Sequence, residues 1–240
     1  TITAEGRVVN QNIITNDSLI TNNGSITNFK TKTITNNNTI TNNNIINNSG
    51  TITNVHTTGI ITNNSAFDNK SDGTLTNYGK VEALVGTLTN SGTFNNTKTS
   101  ESINATFNIV GTFLNKDSGT IVNTGIVENK TNGTITNPGT ITNSGSITSS
   151  SAVTNSGTIT NSGSITSNAS STIGNTGTVN NTGTVSILAS STFTNSQNYN
   201  NLLTGTVYGS LDIFGITTNQ HTISNNVGYT ENVKKRLKLH

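Results

Sequence analysis

The sequence predicts an all-β fold: a single-stranded, triangular, parallel β-solenoid with coils of about 18–20 residues. A six-residue unit recurs along the chain, its central aliphatic residues advance in steps of six or eight, and apolar residues are too few for a thick core. Of 240 residues, 29% are hydrophobic, 5% aromatic and 9% charged. That composition starves a compact globule, yet it lacks the high charge and abundant proline of a disordered chain.

Between Gly133 and Thr166 the unit is plain: GTITNP, GTITNS, GSITSS, SAVTNS, GTITNS, GSIT. The aliphatic centres are Ile135, Ile141, Ile147, Val153, Ile159 and Ile165, continued by Ile173, Val179 and Val185, and these nine are assigned to the core. In Thr-Ile-Thr the middle side chain points to one side and its neighbours to the other, as in a strand, and β-branched residues suit that conformation. The Asn, Ser and Gly that follow make a bend. Each unit is therefore one face and one corner.

The eight-residue steps, as from Ile165 to Ile173 and from Val185 to Phe193, widen some corners, so that three faces close each coil and the chain makes about a dozen coils in all. Each coil sends about three apolar side chains into a narrow column, where copies above and below bury them at the strand spacing of about 4.8 Å. A polar residue at such a position, Ile→Asn in mid-rod, is expected to harm stability more than any change at an outward threonine. Asn28, Asn42, Asn54, Asn77, Asn90, Asn137, Asn143, Asn155 and Asn161 each stand two residues after an aliphatic centre. Stacked at equivalent corners, their amides are expected to bond from coil to coil.

Residues 64–86 and 96–130 hold nearly all the mid-chain charges and the larger residues Phe67, Leu84, Phe107 and Phe113, which reads as core built behind longer corner loops. From Thr131 to Leu211 no charged residue occurs. Residues 1–219 are taken as the solenoid. Residues 220–240 break the repeat and carry Lys234, Lys235, Arg236 and Lys238, so they are expected to cap or leave the rod, as a solvated tail or a short helix with Val233 and Leu237 inward. A chain that begins at Thr1 without methionine is expected to be a mature or excised fragment.

The GTITN units, the coil length and the Leu-Ala-Ser-Ser element at Leu188–Ser191 resemble the filamentous haemagglutinin-like adhesins of bacteria and related autotransporter passengers. The resemblance implies a right-handed triangular β-helix, export through an outer-membrane β-barrel partner, and attachment. Left-handed hexapeptide helices are the rival, but they keep eighteen-residue coils, and the eight-residue steps count against them. Solenoids of this composition also suit a viral or phage fibre or surface layer.

Candidate chemistry rests with the acids. Asp68, Asp72 and Glu82, or Glu101 and Asp117, are the candidates for glycan cleavage, but no acid recurs at one coil position, and all read as solvated loop charges. His56, His221 and His240 show no ligand spacing, and cysteine is absent. No catalytic residue, cofactor or metal is expected, and the chain is not read as an enzyme. A net charge of +2 without a basic stripe argues against nucleic acid, and no apolar run reaches the ~20 residues of a membrane span. The function expected is a secreted, cell-surface or virion-surface structural and adhesive rod. Its expected partners are a host surface protein or glycan receptor, with end-to-end self-association. An alternative is an ice-binding protein using the outward pairs Thr134 and Thr136, Thr140 and Thr142, and Thr158 and Thr160. Such a surface should be one flat face chemically unlike the others, whereas β-branched residues flank the core on every face for conformational reasons alone.

Overall fold

The computed structural model describes residues 1–55, 58–99, 104–188, 190–198 and 200 in full. Residues 199, 201, 206–208, 211–213, 217–219, 223–224 and 237–238 are described by backbone alone. Strands of four residues, shortening to two or three after Asn201, follow one another around three parallel sheets, each passing to the next sheet in turn up to Ile223–Ser224. The first face starts at Arg7–Asn10, the second at Ile13–Asn16 and the third at Leu19–Asn22, and they hold 11, 12 and 11 strands. The chain is thus an all-β solenoid with one strand per face per coil, and no described residue is helical.

From Ser25–Asn28 to Thr192–Asn195 each strand buries its second and fourth residues and turns its first and third outward, as in the TITN strands Thr33–Asn36 and Thr134–Asn137, while in the first three strands the second residue is only half-buried. The period of two accounts for this. Coils stack in register, with Ile135 beside Val153, Ile141 beside Ile159 and Ile147 beside Ile165. All nine core assignments are buried, at 1–8% exposure, within one continuous cluster. Coil length is 18 residues where corners are short, as from Asn36 to Asn54, and reaches 27 from Asn96 to Asn123. The upper figure exceeds the expected range because that coil contains the long corner 97–105 and the four-residue corner 116–119.

Leu84 departs from its expected place. It is half-buried in the corner 84–86, because the inward positions of the strand Lys80–Ala83 fall to Val81 and Ala83. The middle of the column is filled by Phe94, Phe107 and Phe113, one from each face on consecutive strands. Their rings meet edge to face with centroids 4.8, 5.0 and 6.2 Å apart, an arrangement that adds about 0.5–1.5 kcal/mol per pair beyond burial. Past this plug the column returns to Ile and Val and encloses a narrow apolar cavity of about 40 Å³.

The fourth strand position is the polar half of the core. Between the first and second faces an unbroken column of asparagines runs from Asn10 through Asn28, Asn48, Asn69, Asn90, Asn115, Asn137, Asn155 and Asn175 to Asn195. In every step Nδ2 donates to Oδ1 of the next coil at 2.6–2.8 Å. A second column, Asn16 to Asn181, repeats this between the second and third faces. The amides are buried, and each also ties a corner carbonyl, so the strands' ends are satisfied where the backbone ladder stops. The third column breaks. After Asn22, Asn42 and Asn63 come Ala83 and Ile109, and Asn129 then resumes with Ser149 and Ser167. With Ile109 beneath it, Asn129 Oδ1 has no donor and stays buried and unpaired.

Corners of two residues bring the backbones of successive coils close. A Cβ on Gly163 would lie 2.0 Å from the Gly145 carbonyl oxygen, and one on Gly157 as close to that of Gly139. The eight-residue steps are four-residue corners, four of which hold a non-glycine residue with positive φ: Thr31, Asn132, Ser170 and Ser190. The Leu188–Ser191 element is one of these. The expected cap lies mostly outside the described residues. Within 220–240, Ile223–Ser224 extends the third face, and Leu237–Lys238 joins the second as a strand, not as part of a helix.

Candidate interaction faces

With aliphatic and amide groups turned inward, whatever the rod binds meets the first and third residues of its strands. The register places the six candidate threonines on two faces. Thr134 and Thr136 stand on the first, while Thr140 and Thr142 stand on the second directly beside Thr158 and Thr160. Thr142 and Thr160 are exposed and the other four are half-buried.

Following the second face along the rod gives a pattern that counting residues does not reveal. Its first outward column opens with the exposed Ile13 and then reads Thr33, Thr51, Thr74, Thr93, Thr120, Thr140, Thr158, Thr178. Asn198 follows. The column two residues further on holds Thr15, Thr35, Thr53, Thr76, Asn95, Val122, Thr142, Thr160, Asn180 and Asn200. No charge occurs in either column over the ten strands from Ile13–Asn16 to Asn198–Asn201.

The other faces differ. The first is interrupted by Arg7, Ile45, Ala66, Asp68 and Ala152, and the third by Leu19, Ile60, Lys80, Glu82, Ile126 and Glu128. The contrast was hidden in the sequence because the insertions at 55–59 and 97–105 shift the count by which a residue is assigned to a face.

Of the acids considered for catalysis, Asp68, Asp72 and Glu82 are paired with lysines, as is Glu128. Lys70 bonds Asp68, Lys80 bonds Glu82 at 2.6 Å, Lys130 bonds Glu128, and Lys30 reaches Asp72 at 3.3 Å past the two-residue corner 49–50 that separates their four-residue corners. Lys30 and Asp72 are well exposed, and such a pair is worth at most about 1 kcal/mol. Asp117 lies in a shallow dent with Leu114, Lys116, Ser118 and Pro138. Among the described residues no three His, Cys, Asp or Glu side chains cluster to hold a metal, and no helix is long and apolar enough to cross a membrane. Glu101, His56, His221 and His240 lie outside the described residues.

The chain is therefore a three-sided parallel β-solenoid with two continuous asparagine columns and one uncharged threonine face. Family models, curated proteins and solved structures yield no match to it.

Proposed function

We propose that this protein is a non-catalytic structural and adhesive rod, working outside the cell, at a cell surface or on a virion surface. It would hold a host surface protein or glycan through many weak contacts. The observation that supports this reading is the in-register repetition of outward pairs on successive coils, because a stiff array of like sites multiplies weak affinities once one contact is made. The fold itself is a scaffold and carries no chemistry of its own.

Coil number is the variable that tests it. Residues 139–156 form one coil between Gly139 and its register equivalent Gly157, so excising them joins like to like. Binding of the intact chain and of one- and two-coil deletions is compared on cultured cells and on a glycan array. Retention that falls steeply with each coil removed is expected. No binding on either surface, or binding independent of coil number, would refute the adhesive reading.

A further inference from the structure

We propose that the second face is an ice-binding surface, its occupant being crystalline water. Three observations converge on that face. The first is lattice order: eight consecutive threonines in one column, flanked two residues on by a second column mostly of threonine, form a two-dimensional array. Its spacings are about 4.8 Å between strands and about 6.6 Å along each strand. Oxygens on the prism planes of hexagonal ice recur at similar intervals in two perpendicular directions.

Charge complementarity is the second. The face carries no ion over ten strands, while Arg7, Asp68, Lys80, Glu82 and Glu128 stand on the other two. A neutral lattice suits it, since an ion would hold its own hydration shell against ice order. Its hydroxyls are also free for water: none in the first column bonds a protein group among the described residues, nor do those of Thr142 and Thr160. By contrast, the edge hydroxyls of Ser144, Ser162 and Thr176 fold back onto backbone carbonyls. β-branching restricts each χ1, so the methyl and hydroxyl positions repeat from coil to coil.

Access is the third. The strands Thr140–Asn143, Thr158–Asn161 and Thr178–Asn181 are bounded on both edges by two-residue corners. In this half of the rod the four-residue corners 130–133, 168–171 and 188–191 all lie on the opposite edge, between the third and first faces. Nothing among the described residues projects over these three strands. Over the ten strands from Ile13–Asn16 to Asn198–Asn201 the second face is thus the one whose outward columns carry no charge, and in this half, where none of the faces is charged, it differs from the other two in having no four-residue corner on either edge.

The purified chain is tested by thermal hysteresis and by the shape of a single ice crystal grown in its presence. The double variant Thr142→Lys/Thr160→Lys places charges on the second face. The matched control Thr148→Lys/Thr166→Lys places them on register neighbours of the third. Circular dichroism verifies that both fold. Faceted crystals and a hysteresis gap are expected for the parent and the control, with loss of both in the second-face variant. Unfaceted discs without a gap in the parent chain overturn the proposal whatever the variants do, and so does equal loss in the two variants.

Discussion

Asn143 accepts from Asn123 Nδ2 at 2.7 Å and donates to Asn161 Oδ1 at 2.7 Å and to the Ser164 carbonyl at 3.0 Å, all away from water. Removing it takes the shortest bond from Asn123 Nδ2, which keeps only the longer ones to the Gly125 and Ser146 carbonyls, and leaves Asn161 Oδ1 above without its donor, and an orphaned buried group costs about 1–3 kcal/mol. We expect Asn143→Ala to lower the urea-unfolding free energy by at least that amount. Asn129→Ala should cost less, because it deletes a carbonyl that already lacks a donor. Equal losses in the two variants would show that the ladder bonds do not carry this energy. The asparagine position was legible in the sequence because it repeats two residues after each aliphatic centre. The break in the third column was legible only once Ala83 and Ile109 were known to stand in register with Asn63 and Asn129.

At the scale of the element, one strand and one corner, the repeat reads directly from TITN and from the bend residues after it. The two-residue corner is fixed by stacking: a methyl group at Gly163 would meet the Gly145 carbonyl at 2.0 Å, and backbone on both sides leaves little room to yield. Gly163→Ala is therefore expected to destabilise by about 1–3 kcal/mol, the usual range for overpacking. A methyl group at Gly174 would meet nothing within 4 Å, so Gly174→Ala serves as the control in thermal unfolding. Leu84 was misplaced at this scale. Its hydrophobicity argued for the core, but the alternation of the strand Lys80–Ala83 had already filled both inward positions. Charge in 64–86 and 96–130 signalled longer corners correctly at 70–73, 97–105 and 116–119, while 55–59 carries no charge among its described residues and gave no such signal.

Along the whole molecule each coil touches only its neighbours, so stability is a sum of coil and interface terms, and cooperativity weakens with distance. Ile141→Asn puts an unpaired amide into the apolar column between Ile121 and Ile159. Native-state hydrogen exchange should show the coils around it opening while those near Phe94, Phe107 and Phe113 stay protected. Uniform loss of protection would instead mean that the rod unfolds as one unit. The amide columns add a property of the same range. In both unbroken columns every Nδ2 faces later coils and every Oδ1 faces earlier ones. Any cross-section of the rod is thus donor on one side and acceptor on the other, so a copied coil is complementary to its parent as soon as it is translated. In-frame duplication of a coil-length stretch of gene lengthens such a protein without demanding compensating substitutions, and its length becomes something selection can adjust one coil at a time.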